Sequence, residues 1–245
     1  MKPFILALQF LTVATLRSDL RAEPGDLARA RAWFGVVGAL LGLVLAALAW
    51  LLGLALPPLA LAGPLVLAWA MATRFLHLDG VADTADALVY PAPRERSLAI
   101  MKDTRLGAFG VAALASVLVI KFGLLASLEA PRLLGALIAA PALARALAAG
   151  LSVLLPPATP GKGLGAATAQ GQAGVGGMLI AAGSALTVAG LCCGLAGLAA
   201  GLAVLVLGLV LGRWYLRRLG GVTGDCLGAS IELAECLALA TLLAF

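Results

Sequence analysis

Three aspartates follow one another at helical spacing within residues 77–86. Asp79, Asp83 and Asp86 occupy positions i, i+4 and i+7, which places them on one face of a helix. Like charges at this spacing destabilise a helix, so a compensating cation is expected. Mg²⁺ fits, because hard cations take carboxylate oxygens and commonly bridge substrate phosphates. The alternative is a solvated helix end, which the apolar residues between the aspartates disfavour.

A second cluster, residues 101–107, places Lys102 and Arg105 on either side of Asp103. These cations could hold phosphate, and Gly107 allows a close approach of the backbone. By itself, this segment is better explained as a positively charged cytoplasmic loop.

A third cluster opens the final apolar run, at residues 220–232. Its glycine-rich turn precedes a predicted helix, whose free N-terminal amides suit a phosphate. Asp225 and Glu232 are seven residues apart on one face, with Gly228 between them. The alternative is a capping aspartate followed by a structural glutamate. An ionised glutamate two turns into a membrane helix is costly unless it is paired.

Two cations also fall inside apolar runs, Lys121 and Arg145. Intramembrane cations are candidates for function. Lys121 is expected to extend outward toward the membrane surface. Arg145 is expected to pair with a buried acid, either Glu232 or one of the aspartates in 77–86.

The composition requires a membrane around these clusters. Of 245 residues, 62% are hydrophobic and 12% are charged, against roughly 25% charged in soluble domains. Aromatic residues are only 5%, so the apolar mass is Leu, Ala, Val and Gly. This predicts one all-α domain over 1–245, a polytopic transmembrane bundle whose 30 glycines let helices approach closely. Nucleic-acid binding is excluded, because no polar basic surface could carry it.

A membrane helix needs about 20 apolar residues, and the sequence predicts about seven such spans, within a range of six to eight. Residues 4–16 are too short to cross and are placed at the interface. The four cysteines lack metal-ligand spacing, and the N-terminal segment lacks a cleavage pattern. The predicted spans are 33–54, 59–76, 107–127, 133–155, 174–193, 197–213 and 226–244.

The charges orient the predicted bundle. With seven spans, four connecting segments that carry Lys or Arg fall on one side, and the opposite connections hold a single cation, Arg132. The positive-inside rule makes the basic side cytoplasmic. A charged site there suits a soluble, phosphate-bearing substrate better than a transporter, whose ionisable groups lie near the midplane. The four segments are 17–31, which includes Arg21, 74–105, 156–173, which includes Lys162, and 213–225.

Taken together and in order, the three clusters resemble the cobalamin synthase family of adenosylcobinamide-GDP ribazoletransferases. The resemblance rests on the runs 77–86, 102–107 and 220–232 and covers nearly the whole chain. It implies a bacterial inner-membrane enzyme that joins α-ribazole, or its 5′-phosphate, to adenosylcobinamide-GDP and releases GMP. It also implies a requirement for Mg²⁺. The oligomeric state, including a homo-oligomer, is left open.

The clusters and the resemblance together assign roles to individual residues. The predicted metal ligands are Asp79, Asp83, Asp86 and Asp225. The predicted catalytic residues are Asp83, Asp225 and Glu232. The predicted substrate contacts are His77, Lys102, Asp103, Arg105, Gly107, Arg145, Gly221, Thr223, Gly224 and Gly228.

Two other classes of protein stay open at this point. One is a CDP-alcohol-type phosphotransferase acting on lipid head groups, which also uses several aspartates near a membrane surface. Its usual pattern of aspartates is not found in this sequence. The other is a transporter of a cobalamin-like or small anionic solute.

Overall fold

The computed structural model describes residues 1–17, 23, 25–159 and 174–245, and their regular secondary structure is helical. Arg21 and Lys162, two cations of the predicted basic side, lie outside these residues. A single turn of 3₁₀ helix, Arg31–Trp33, leads into the third helix. In chain order the helices are α1 (Lys2–Leu11), α2 (Asp26–Ala30), α3 (Phe34–Gly53), α4 (Pro58–Ala72), α5 (Leu76–Leu88), α6 (Arg94–Ile100), α7 (Ala108–Ser127), α8 (Ala130–Leu154), α9 (Gly174–Leu219) and α10 (Gly224–Ala244).

The predicted all-α membrane bundle is confirmed. Five helices of the described part are long and apolar enough to cross a bilayer, or six if α4 and α5 form one bent span. This count is lower than the predicted seven, because α9 counts once although it has 46 residues. The five helices are Ala28–Gly53, Ala108–Ser127, Ala130–Leu154, Gly174–Leu219 and Gly224–Ala244.

Helix α9 is broken at Gly194, close to the predicted boundary between the fifth and sixth spans. Gly194 has φ 59° and ψ −135°, a backbone conformation that favours glycine. The two limbs fold back on each other, since the Leu186 side chain lies against Gly201 and a Cβ at Gly197 would meet the Ala189 backbone. The break therefore makes α9 a hairpin of two limbs.

The glycines of α3 explain how tightly this helix packs. A Cβ at Gly38 would lie 2.7 Å from the Ala142 Cα, and one at Gly42 would lie 2.6 Å from the Ile138 Cα. Neither separation is accessible to a real side chain, so α3 and α8 touch backbone to backbone. This contact matches the role predicted for glycine, because small residues let helices approach in lipid.

Helices α4 and α5 meet at an angle of 87°. Arg74 and Phe75 form the bend, and both have positive φ angles, 54° and 58°. A left-handed backbone costs residues with a side chain roughly 1–2 kcal/mol each. The surrounding packing must therefore hold the bend in place, and the bend turns α5 across the direction of α4.

The segments predicted to share one side do contact one another. The chain at 156–158 meets 220–222 through the parallel bridge between Pro157 and Val222. Arg94 joins both segments, because its guanidinium donates to the carbonyls of Leu219 and Ala158, each at 2.6 Å. We name the end of the bundle where these segments meet the polar end. Further links there run from Arg31 to the Ser152 carbonyl and from Arg74 to the Val13 carbonyl.

Helix α1 is too short to cross, as predicted for residues 4–16. Its apolar face packs on the start of α3, with the rings of Phe10 and Phe34 stacked at 6.0 Å between centroids. Lys2 ties α1 to α2 through a salt bridge to Asp26, with Nζ and Oδ2 2.7 Å apart.

Candidate active site

A cavity of about 900 Å³ opens at the polar end. Asp79 and Asp83 of α5 line one side of it, and the loop 102–105 lines another. The rest of its wall is apolar and comes mainly from α4 and α7. Two of the three sequence clusters therefore share one space.

Helix α10 brings the third cluster against α5. A Cβ at Gly80 would lie 2.6 Å from the Asp225 carbonyl oxygen, so only glycine allows the two helices to come this close. The contact places Asp225 beside the acidic face of α5, and the negative charges of Asp79, Asp225 and Asp86 all act on Asp83. Asp79 is exposed, whereas Asp83 and Asp225 are half-buried.

These carboxylates suit a hard cation. None of the salt bridges between described residues involves Asp79, Asp83 or Asp225, so their negative charges are gathered without a basic partner. In the described part of the chain, no three His, Cys, Asp or Glu side chains lie close enough to enclose an ion alone. Mg²⁺ does not require such a cage, because it usually keeps waters and binds through one or two carboxylates plus substrate phosphates.

Asp86, the remaining predicted metal ligand, makes a different contact. Its two carboxylate oxygens accept the backbone amides of Gly107 and Gly110, each at 2.8 Å. Gly107 directly precedes α7 and Gly110 lies in its first turn, where backbone amides have no partner within the helix. Asp86 thus fixes the start of α7 against α5. Gly107, predicted to contact substrate, is part of this junction, because a Cβ there would collide with the Asp86 carboxylate.

The loop 102–105 presents both signs of charge to the cavity. The Arg105 guanidinium donates to both oxygens of Asp103, at 2.6 Å from Nη2 and 3.0 Å from Nε. Arg105 beside it lowers the pKa of the Asp103 carboxyl to about 2. Lys102 is exposed at the cavity wall. The loop therefore carries one cation that is already paired and a second, Lys102, that forms no salt bridge within the described residues.

The glycine-rich turn before α10 divides into two parts. Gly221 and Val222 are buried against the 156–158 segment, and a Cβ at Gly221 would lie 2.9 Å from the Ala158 nitrogen. Thr223 caps α10, because its hydroxyl accepts the Cys226 amide at 3.2 Å. Gly224 follows as the half-buried first residue of the helix. Gly221 thus has a packing role, while Thr223 and Gly224 stand beside Asp225.

His77 and Gly228, two other predicted substrate contacts, meet where α5 crosses α10. A Cβ at Gly228 would lie 3.2 Å from the His77 Cα. The His77 imidazole is buried, and its Nδ1 has no hydrogen-bond partner among the described residues. Neither residue is among those that line the cavity.

A buried ionic cluster lies beneath the site. We name it the ionic quartet: Lys121 of α7, Arg145 of α8, and Glu232 and Glu235 of α10. The Lys121 ammonium lies 2.5 Å from Glu232 and 2.6 Å from Glu235, and the Arg145 guanidinium bonds to Glu235. All four side chains are almost fully buried.

Trp69 of α4 completes the surroundings of the quartet. Its indole nitrogen donates to Glu235 at 3.0 Å, and its ring lies 4.6 Å below the Lys121 ammonium. The quartet and Trp69 therefore join four helices, α4, α7, α8 and α10, at one point. The expectation that Lys121 extends outward is wrong, because two acids and an aromatic face hold it inside.

The quartet also settles the expectation about Arg145. It is buried against an acid, as predicted, but the acid is Glu235 rather than Glu232 or an α5 aspartate. Arg145 and Glu232 do not line the cavity, although both are predicted site residues. Glu235 and Trp69 were missed. An acid inside an apolar run indicates a buried, paired charge, and the sequence shows this feature at Glu235 as clearly as at Glu232.

A model of the protein family described as cobalamin-5-phosphate synthase matches residues 3–243. A relative from Pseudomonas paraeruginosa (strain DSM 24068 / PA7), named adenosylcobinamide-GDP ribazoletransferase, is 42% identical over 99% of this chain and 98% of its own. Relatives of the same name from Thiobacillus denitrificans and Roseiflexus sp. are 41% and 38% identical, over 98% and 96% of this chain and 94% and 87% of their own lengths. No solved structure is a significant match.

Proposed function

The chain belongs to the cobalamin-5-phosphate synthase family, and we propose that it joins α-ribazole, or its 5′-phosphate, to adenosylcobinamide-GDP with release of GMP. The product is adenosylcobalamin or its 5′-phosphate. The observation that supports this most directly is that Asp79 and Asp83 line one cavity with Lys102 and Arg105, while Asp225 lies beside α5 at its contact with α10. Carboxylates for a metal and cations for phosphate oxygens are the two needs of a pyrophosphate substrate.

Asp79, Asp83 and Asp225 are the residues proposed to hold Mg²⁺. Bound there, the ion would neutralise the negative charge that builds on the phosphoryl oxygens and on the departing phosphate. Asp86 was also predicted to bind the metal, and it could do so only while its two oxygens accept the amides of Gly107 and Gly110. Its role in the structure is to hold α5 against the start of α7, two helices that form walls of the cavity.

The chemical step is an exchange at one phosphorus. The ribose 3′-hydroxyl oxygen of α-ribazole forms a bond to the phosphorus next to the aminopropanol arm. The bond from that phosphorus to the bridging oxygen breaks, and GMP leaves with the bonding electron pair. Since Mg²⁺ usually binds only one or two carboxylates, the hydroxyl proton passes to the carboxylate that is left off the metal, for which Asp83 is proposed ahead of Asp225. The preference rests on position alone, because Asp83 lines the cavity and Asp225 does not.

The basic residues bind and align the reactant. Lys102 is exposed at the cavity wall and is proposed to bind a phosphate oxygen directly. Arg105 is oriented by its paired contact with Asp103, so its remaining donors are held in a fixed direction. The amides that follow Gly224 are proposed to bind a further phosphate oxygen, since the first turn of a helix offers unpaired donors.

The reaction is tested with purified protein, adenosylcobinamide-GDP, α-ribazole and Mg²⁺, followed by chromatography of the nucleotides. GMP and a new corrinoid should appear together in equal amounts. Excess chelator should abolish both, and added Mg²⁺ should restore them. Proteoliposomes that accumulate a corrinoid without releasing GMP would contradict the proposal and favour transport.

A further inference from the structure

The cavity at the active site continues past the charged residues into an apolar limb. The limb lies between α4 and α7, and its walls carry no polar or charged side chain among the described residues that line it. The surface of α7 here faces outward, since Val119 is 69% exposed. The limb thus begins beside the carboxylates and runs along the membrane-facing side of the bundle. Its lining residues are Gly63, Val66, Leu67, Leu114, Leu118 and Phe122.

We propose that this apolar limb binds the aromatic base of the incoming nucleoside, α-ribazole. The inference rests on the proposed function and locates one of its two substrates. In this proposal, Phe75 also contacts the base and provides an aromatic surface at the entrance to the limb.

The chemistry of the two substrates decides which of them fits. The base of α-ribazole is a dimethylbenzimidazole, a flat and largely apolar ring system. The guanine of the other substrate carries donors and acceptors along its edges, and in a limb without polar side chains these would lose their hydrogen bonds. The corrin ring is fringed with amides and faces the same penalty. The limb therefore selects the apolar base.

The position of the limb agrees with the chemistry. It starts at Asp79 and Asp83, where the nucleophilic hydroxyl must stand. A base in the limb leaves its attached ribose at the charged mouth of the cavity. Phosphate oxygens of the second substrate can then occupy the side formed by Lys102 and Arg105. One cavity thus accommodates the apolar end of one reactant and the charged end of the other.

Phe75 supplies an independent observation. It lines the same cavity and is 47% exposed, so part of its ring is not covered by the rest of the protein. Its backbone is held at a φ of 58°, which a phenylalanine rarely adopts. Strained backbones of this kind cluster at functional sites. An exposed aromatic ring at the cavity wall can pack against a planar heterocycle.

Gly63 offers a way to fill the limb without disturbing the fold. A Cβ there would meet only the Phe122 ring, at an ordinary contact distance of 3.9 Å. Gly63→Leu therefore fits the helix backbone and occupies space next to Phe122. Gly123→Leu is the matched control, because a Cβ at Gly123 has nothing within 4 Å and Gly123 does not line the cavity.

The first measurement is steady-state kinetics with each substrate varied in turn. Gly63→Leu should raise the KM for α-ribazole by about tenfold, the scale on which a pocket senses added or missing methyl groups. The KM for adenosylcobinamide-GDP should stay unchanged, and Gly123→Leu should change neither. Phe75→Ala should raise the KM for α-ribazole in the same way.

The second measurement is equilibrium dialysis of α-ribazole with the detergent-solubilised protein in the absence of the other substrate. Gly63→Leu should weaken binding by about the same factor, and this result does not depend on turnover. If Gly63→Leu binds α-ribazole as well as the wild type does, the limb holds lipid only and the inference is wrong. If the KM for adenosylcobinamide-GDP rises instead, that substrate occupies the limb and the inference is equally wrong. Wild-type protein that binds α-ribazole but releases no GMP would contradict the proposed function alone.

Discussion

Lys121 and Glu235 form a salt bridge of 2.6 Å in the interior of the bundle, where neither side chain reaches solvent. The bridge links α7 to α10, and Glu235 extends the link to α8 through Arg145. Glu235 lies about 16 Å along α10 from Gly224, at a rise of 1.5 Å per residue. The protein therefore has two sets of charges: one lines the cavity, and the other, the ionic quartet, joins helices in the interior without lining the cavity.

Glu235→Gln should destabilise the protein by about 3–5 kcal/mol, because it leaves Lys121 and Arg145 with one acid between them. Thermal unfolding in detergent measures the loss. Glu129→Gln, a change at an exposed acid before α8, is the control and should have little effect. The double variant Arg145→Met with Glu235→Met should lose less than the two single variants added together. Additive losses would mean that this pair is not coupled.

Asp83→Asn should reduce GMP release on the order of 10²-fold or more, while the amount of folded protein stays close to that of the wild type. Asn keeps the shape of the side chain but removes the charge and the site for the proton. Asp79→Asn and Asp225→Asn should also lose activity as metal ligands. Near-normal GMP release from all three variants would refute the assigned site.

Gly80→Ala should impair activity by at least about tenfold, because its Cβ would force the Asp225 backbone away from α5. Gly123→Ala is the matched control. Both variants replace glycine by alanine inside a helix and favour helix formation equally, but only the new Cβ at position 80 would collide with another residue. A Gly80→Ala enzyme with full activity would show that the α5–α10 spacing is not critical.

Arg94→Ala should loosen the polar end, because the Leu219 and Ala158 carbonyls lose their donor. The expected cost in unfolding free energy is about 1.5–3 kcal/mol, the range for hydrogen bonds to charged groups. Arg94→Lys should recover only part of it, since one ammonium cannot reproduce two donors in a fixed fork. Arg96→Ala, at an exposed neighbour, serves as the control in the same unfolding assay.

The orientation of the bundle is tested by cysteine labelling in a background without the native cysteines. Glu95→Cys, at the polar end, should react with a membrane-impermeant thiol reagent only from the cytoplasmic side. Arg132→Cys, at the start of α8 and near the opposite end, should react only from the other side. Labelling with the reverse pattern would invert the proposed topology.

The sequence predicted the parts of this site that depend on local spacing. The acidic face of α5 follows from helical periodicity, and a helix was predicted to start at the glycine-rich turn before the last apolar run. Thr223 caps that helix, whereas the cap considered from the sequence was Asp225. The meeting of the basic segments at one end followed from the distribution of charge along the chain. The first two predictions need only information from within one segment, and the third needs only the order of charges along the chain.

Contacts between helices were harder to predict. Lys121 was assigned to the membrane surface because a single helix gives no sign of which way its long side chain turns. The role of Asp86 at the start of α7 depends on the 87° bend between α4 and α5, and the helical spacing of the aspartates does not reveal that bend. The choice of Glu235 over Glu232 as the partner of Arg145 likewise depends on how α8 and α10 are rotated against each other.

The ionic quartet also constrains the order in which the protein can be assembled in the membrane. Helices α7 and α8 precede α10 in the chain, so during synthesis Lys121 and Arg145 enter the bilayer before either glutamate is made. Each cation alone is costly in lipid. Until α10 has been made, the two helices therefore remain near the translocation machinery or keep their charged side chains toward water. A chain halted before α10 should be a substrate for membrane proteolysis rather than a partly folded bundle.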